Sequence, residues 1–277
     1  MADTDQLKFV CDLVRSAGPI ALRHYGNAQR LTKTHAAAMD EAVTAADRDV
    51  QRHLVAGLRK RFPGDGIIGE EDDAGLGITA DIADPLGRNW VIDPIDGTNN
   101  FVAGLDHWAI CVGLLDRGHP LLGVVYEVRR DALHAAERGR GATLNARPIR
   151  APEGAMAASS VLMLTSNVID RSGKCPKWAS DLLAQTTWKL RVLGSAAVEA
   201  VSVASGVAHA AITVNGKLWD CVAPAAIVQE AGGVISGLRG EPVFPFDLRN
   251  YTGAKVPYLA AGAAAHRRMI EWIAAGA

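Results

Sequence analysis

No stretch of this chain approaches the ~18 consecutive apolar residues that a membrane-crossing helix requires, although 49% of its 277 residues are hydrophobic. The apolar residues are dispersed instead. A chain of this length can bury them in one large core or in two small ones packed together. An excess of charge of one sign is also missing, since 29 Lys and Arg face 30 Asp and Glu. Nucleic acid and polybasic membrane attachment need a positive field that this balance does not supply, so we expect neither partner. A small anionic substrate stays open, because it needs only a local positive site. Cysteine is scarce: Cys11, Cys111, Cys175 and Cys221 lie far apart and form no C-x-x-C pair. They read as scattered reduced thiols. The opening "MADTDQLKF" is polar and acidic, without the basic and apolar regions of a signal peptide, and the expectation is a cytoplasmic protein. There is no internal repeat, no low-complexity linker, and neither H-E-x-x-H nor G-x-S-x-G.

What is present is periodic. Leu7, Val10, Cys11 and Val14 follow the i, i+3, i+4, i+7 spacing of an amphipathic helix. That pattern reaches Tyr25, with a bend expected at Gly18-Pro19. A second helix fits Thr44 to Phe62, ended by Pro63-Gly64. Short strands are predicted at Ile67-Ile68 and in "NWVID". The runs "WAICVGLL", "LLGVVYEV" and "ALHAAERG", separated by turn-like segments, predict an antiparallel meander. Beyond Ala151-Pro152 the character changes. Strand-like "VLMLT", "KLRVL", "AHAAITV" and "GGVIS" alternate with helical stretches over 177–186, 196–205 and 221–231, an α/β pattern. We expect helices plus an antiparallel sheet over 1–150 and an α/β half over 151–277, in one compact catalytic unit.

Acidic residues recur where predicted strands end or helices begin: Glu70-Glu71, Asp93 with Asp96, and Asp220. Such places are where sites are built on open sheets. Asp220 on its own reads as a helix N-cap, and Glu71-Asp72-Asp73 as a solvated acidic loop. The segment "VIDPIDGTNNF", Val91 to Phe101, is harder to dismiss. Burying unpaired carboxylates is costly, yet Asp93 and Asp96 sit among apolar residues. Pro94 lacks an N–H. Gly97 permits close backbone approach by a ligand. Thr98 and Asn99 look like the start of a helix, whose free N–H groups favour an anion. One segment thus offers carboxylates for a hard cation such as Mg²⁺ and a cradle for a phosphate. The D-x-D-x-D-G spacing of a calcium-binding EF-hand is absent.

"GEED", "WVIDPIDGTNNF" and "LWDCVAPAAIVQEAGG", in this order, resemble the three signatures of the inositol monophosphatase family. "VTAADRDV" and "GSAAVEAVSVASG" are similar to two further family segments. The resemblance implies a layered α-β-α-β-α fold and Mg²⁺-dependent hydrolysis of a small phosphate monoester in a homodimer. It implies that Glu70, Asp93 and the Ile95 carbonyl hold one ion, that Asp93, Asp96 and Asp220 hold a second, and that Glu70 helps to hold a third. Thr98 and Asp47 would orient and activate the attacking water, with Glu70 also counted as catalytic. Phosphate oxygens would meet N–H groups near Gly97 and Thr98 and near Gly194, Ser195 and Ala196. Two divalent ions roughly 3.5–4 Å apart can clamp the attacking and leaving oxygens, so phosphoryl transfer needs mainly positioning and charge neutralisation. Read without the resemblance, Thr44-x-x-Asp47 is a capping box.

This chain also departs from the pattern. Inositol-using members carry a glutamate where Thr213 stands, which puts selectivity for inositol in question and marks Thr213 as a substrate-facing position. The mobile-loop region "LTKTHAAAMD" carries Lys33, to which no role is transferred. His107 could approach a substrate, and the loop "PFDLRNYTGAKVPY" could reach the leaving group or lie on the surface. Related branches act on histidinol phosphate, fructose 1,6-bisphosphate or phosphoadenosine phosphates, and a shared fold does not separate them. A catalytically silent regulatory role is the reading from outside the enzymes.

Overall fold

A computed structural model of the chain describes residues 4–25, 45–71, 79–166, 168–169 and 173–276. Two helices open it, α1 (Thr4–Leu22) and α2 (Ala45–Arg61). An eight-stranded sheet follows: β1 (Gly66–Gly69), β2 (Thr79–Asp81), β3 (Arg88–Asp96), β4 (Ala109–Asp116), β5 (His119–Glu127), β6 (Ala132–Glu137), β7 (Ala142–Leu144) and β8 (Arg147–Ile149). The six-residue α3 (Thr98–Ala103) links β3 to β4. The spatial order is β2-β1-β3-β4-β5-β6-β7-β8. Every pair is antiparallel except β1 with β3, so the expected meander is the core of this sheet.

The second sheet has the order β10-β9-β11-β13-β12, built from β9 (Val161–Leu164), β10 (Lys189–Arg191), β11 (Ala210–Thr213), β12 (Val234–Ser236) and β13 (Tyr258–Ala261). It is mixed: β9 is parallel to β10 and β11, while β13 is antiparallel to β11 and β12. Helices α4 (Lys177–Ala184), α5 (Ala196–Ala204), α6 (Leu218–Glu230) and α7 (Ala263–Ala275), with a 3-10 turn at Val128–Arg130 between β5 and β6, complete the described elements.

The two-residue period of strand side chains assigns each face its partner. On β3, Trp90 and Ile92 join Val10, Val14, Val50 and Leu54 of the first two helices in one core. Val91, Cys111 and Val125 face the other way, into a core with α5, α6 and Ala211, Tyr258 and Ala260 of the second sheet. The far face of that second sheet, Leu162, Ile212 and Leu259, packs on α4 and α7 through Trp178, Leu182, Met269 and Ile273. The layers therefore run α-β-α-β-α, as the resemblance implies. The middle layer sits very close to the first sheet. Gly113 and Gly123 are register partners on β4 and β5. A Cβ on Gly123 would lie 2.2 Å from the Ala223 carbonyl oxygen, and one on Gly113 2.8 Å from the Ala223 nitrogen. Only glycines let the α6 backbone rest there.

Several boundaries differ from expectation. Helix α1 continues through Pro19 and ends at Leu22 rather than Tyr25. Helix α6 begins at Leu218, not at Cys221. The strands β2, β7, β8 and β13 and the helix α7 were not foreseen: the four strands are three or four residues long, too short to show a period, and β8 contains a proline.

Candidate active site

The strand β3 changes character at its end. Between Asp93 and Asp96 its register with β4 shifts, with Asp93 opposite Cys111 and Asp96 opposite Ala109. One extra residue on β3 makes a bulge, a device that re-aims side chains. Pro94 has no N–H to lose from the ladder. The Ile95 N–H, freed from the strand, donates to Asp93 Oδ1 at 3.1 Å. Asp96 is held from across the molecule at the start of α5. It accepts the Ser195 hydroxyl hydrogen, the Ala196 N–H at 3.2 Å and the Ala197 N–H at 2.9 Å. Ser195 caps the same helix, accepting the Val198 N–H at 3.3 Å.

Asp220 comes from α6. Helix α6 starts three residues earlier than expected, so Asp220 lies inside its first turn and accepts the Lys217 N–H at 2.5 Å. That corrects the reading of Asp220 as the cap residue itself. Pro224, four residues on, cannot donate to the Asp220 carbonyl. The buried Tyr258 hydroxyl donates to it instead, at 3.0 Å. The proline that breaks the helix ladder and the tyrosine that repairs it both bear on the same residue.

Asp93, Asp96 and Asp220 converge, with one carboxylate oxygen from each within 4.8 Å of the others. Burial, then the charges of Glu70, Asp96 and Asp220, push the Asp93 carboxyl well above the ordinary carboxylate range. Burial also raises Asp96, against the opposing pull of the Ser195, Ala197 and Ala196 hydrogen bonds. Three acids so placed disfavour their own ionisation unless a cation stands among them. All-oxygen donors of this kind fit a hard divalent ion. Glu70 follows β1, and its N–H donates to Ile92 on β3 at 3.2 Å. It lines, with these three, a cavity of about 140 Å³ that also exposes Gly97, Thr98, Gly194, Ala196, Thr213 and Lys217.

The remaining expected residues fall into place unevenly. Thr98 opens α3, lines the cavity, and donates its one hydroxyl hydrogen to the Ile95 carbonyl at 3.0 Å. Asp47 is buried in the first turn of α2 and is not among the lining residues. Thr44 lies outside the described residues, as does Lys33. Gly97 has φ +87°. A Cβ there would lie 3.0 Å from the His107 carbonyl and 3.1 Å from the Ser195 Cβ. Its missing side chain thus makes room for the protein's own backbone as well as for the cavity. Two of the three N–H groups expected to cradle phosphate near 194–196 are engaged within the protein: Gly194 donates to Glu199 Oε1 at 3.1 Å, and Ala196 to Asp96. Thr213 is 1% exposed and lines the cavity. Its hydroxyl comes beside the Tyr258 phenol without a well-directed hydrogen bond.

His107 is exposed and contributes its carbonyl to Asn100 Nδ2 rather than its ring to the cavity. The loop at 245–258 braces the wall from behind. The Tyr251 hydroxyl accepts the Leu218 N–H at 2.9 Å, and the Val256 N–H donates to the Gly216 carbonyl at 2.7 Å. Glu71 is buried and clasped by the Gln51 amide, which accepts its N–H at 3.0 Å and donates to its carbonyl. That overturns the solvated-loop reading for this residue; Asp72 and Asp73 lie outside the described residues. Glu199 was missed altogether. It is fully buried in α5 and accepts the Leu193 N–H at 2.7 Å as well as that of Gly194. The signal lay in a lone acid among Ala and Val, where an unpaired charge would be costly.

A sequence profile described as "Inositol monophosphatase family" matches residues 3–274. The chain belongs to the inositol monophosphatase family. A relative from Thermotoga maritima named fructose-1,6-bisphosphatase/inositol-1-monophosphatase is 34% identical over 242 residues, covering 87% of this chain and 88% of its own. A Xylella fastidiosa protein named Nus factor SuhB is 33% identical over 82% of this chain and 79% of its own. A Chlorobaculum parvum histidinol-phosphatase is 32% identical over 86% and 87%. Among solved structures, the Thermotoga maritima IMPase superposes with a TM-score of 0.82 at 29% identity, covering 98% of both chains. Membership of this family accords with the five layers and with the acidic cluster on β3 and α6.

Proposed function

We propose that this protein hydrolyses a small phosphate monoester with Mg²⁺. The observation that carries this reading is the buried convergence of Asp93, Asp96 and Asp220 beside a cavity that Glu70 and Thr98 also line. Asp93, Asp96 and Asp220, with Glu70 and the Ile95 carbonyl, would hold two or three divalent ions, which when bound neutralise the acids, polarise the phosphate and lower the pKa of a water. The chain's own residues supply position. The N–H groups in the first turn of α3 have no partner within the helix and face phosphate oxygens near Gly97 and Thr98. The Thr98 hydroxyl, with its hydrogen committed to Ile95, offers lone pairs that can accept a water's hydrogen and aim its oxygen. Asp47, buried in the first turn of α2 and outside the cavity lining, would act as a positioning residue.

The converged carboxylates favour catalysis over a purely regulatory role, the alternative that the SuhB name would suggest. Fructose 1,6-bisphosphate, inositol phosphates, histidinol phosphate and phosphoadenosine phosphates are the candidate esters, and the protein's place of action is the cytoplasm. Phosphate release from a panel of these esters tests the reading. Turnover with Mg²⁺ that vanishes on adding EDTA is expected, and equal rates in EDTA would overturn it.

A further inference from the structure

The cavity has a second face that the hydrolytic step does not use. Glu70, Asp93, Asp96 and Asp220 make up all the carboxylates among its described lining residues. The turn from β11 into α6 supplies a different wall: Thr213, Asn215 and Lys217, with Trp219 beneath. Lys217 is the one cation among the described lining residues. Its ammonium rests 5.3 Å from the centroid of the Trp219 ring, and Trp219 is 3% exposed. An ammonium held on an aromatic face is positioned rather than adrift in solvent. A second ammonium, that of Lys255, donates to Asn215 Oδ1 at 2.5 Å, adding positive charge behind the same wall. Thr213 is 1% exposed, and its hydroxyl lies beside the Tyr258 phenol without a well-directed hydrogen bond; leaving such a group poorly matched is costly. Gly216 completes the arrangement: a Cβ there would lie 2.7 Å from the Thr213 methyl, so its absence seats that side chain in the wall.

We propose that the preferred substrate is a phosphate ester whose alcohol carries an anionic group of its own, a second phosphate or a carboxylate, held by Lys217 with Thr213 and Asn215. This rests on the phosphatase reading, in which cations occupy the acidic face. An ammonium has donors and no acceptor, and the neighbouring hydroxyl can donate as well, so the wall is matched to an acceptor-rich anion. A neutral polyol uses it only in part. An amino alcohol brings a like charge towards Lys217 and finds on this wall no carboxylate to receive it.

The test is kcat/KM of the full-length protein in Mg²⁺ for four esters: fructose 1,6-bisphosphate, 3-phosphoglycerate, inositol 1-phosphate and histidinol phosphate. The wild type is expected to favour the bisphosphate, the phosphoglycerate or both over inositol 1-phosphate, with histidinol phosphate last. Preference for only one of the two anionic esters identifies the anion. Lys217→Gln is expected to lower the ratio of the favoured anionic ester to inositol 1-phosphate by roughly tenfold, and Lys217→Glu to lift histidinol phosphate relative to both. A wild type that handles inositol 1-phosphate or histidinol phosphate best overturns the proposal, as does an unchanged ratio in a folded Lys217→Gln variant. If the variants fail to fold, the wild-type ranking decides alone. If no ester releases phosphate, the phosphatase reading itself has failed. Calorimetric affinities for the same four esters then decide the wall assignment by the same order.

Discussion

A carboxyl packed among other carboxylates holds a proton more readily than one in water, and Asp93 meets that conflict. Burial comes first among its causes and Glu70, Asp96 and Asp220 follow. A cation resolves the conflict and a proton also relieves it, so function and metal-free stability pull against each other at this residue. In the proposed function Asp93 is a shared ligand, so replacing it with Asn removes that ligand and one of the repelling charges together. Turnover at saturating Mg²⁺ is expected to fall ~100-fold or more, since each 1.36 kcal/mol lost is a factor of ten. The melting temperature in EDTA is expected to hold or rise. A variant with near wild-type activity would remove Asp93 from the metal centre, and a large drop in melting temperature would make its role structural.

At the level of elements, two contacts set where the site residues sit. The first is the seat of α6 on Gly113 and Gly123. Helix α6 carries Asp220, so its height above the sheet sets the reach of that carboxylate. Gly123→Ala would place a methyl 2.2 Å from the Ala223 carbonyl oxygen. A destabilisation of ~1–3 kcal/mol is expected in denaturant unfolding, as for other over-packed cores, together with a weaker response to Mg²⁺. Unchanged stability would mean that the helix shifts freely. The second contact is Glu199, which ties the start of α5 to the 193–194 turn. Burial pushes its carboxyl up to about 8, from an ordinary 4.5. A group raised in this way holds its proton more firmly in the folded state. Its contribution to stability is full below about pH 4.5 and is lost as the pH climbs through about 8. Glu199→Gln keeps an acceptor for the two N–H groups without the charge. Its melting temperature is expected to exceed that of the wild type above pH 8 and to converge with it towards pH 5. A difference that ignores pH would show that Glu199 does not titrate in this range.

For the whole molecule, no described helix is long and apolar enough to cross a membrane. The five layers bury three contiguous apolar cores, and the middle one joins both sheets through α5 and α6. The clustered carboxylates therefore arrive from both halves of the chain, Asp93 and Asp96 from β3 on one side and Asp220 from α6 on the other. The family resemblance leads us to expect a homodimer. Light scattering at micromolar concentration should give twice the 29.2 kDa chain mass, and a single-chain mass would refute that expectation.

Local order was written in the sequence, because helix and strand periods and turn residues act between neighbours. The meander from Ala109 to Glu137, the amphipathic first helix and the helical start at Thr98 were legible that way. The pairing of Asp93 with Asp96 could be read from a single segment. The residues around Asp220 by themselves indicated only a helix start; the family signature alone connected it to the other acids. Tertiary structure decided the rest. It spent the Gly194 and Ala196 N–H groups on Glu199 and Asp96, turned the Thr98 hydrogen to Ile95, and let Tyr258 satisfy the carbonyl that Pro224 leaves open. It also placed Lys217 and Thr213 on one wall. Each of these is an allocation of donors and acceptors between segments far apart in the chain. Packing settles such allocations, because a buried polar group must find its partner wherever the fold brings one within reach.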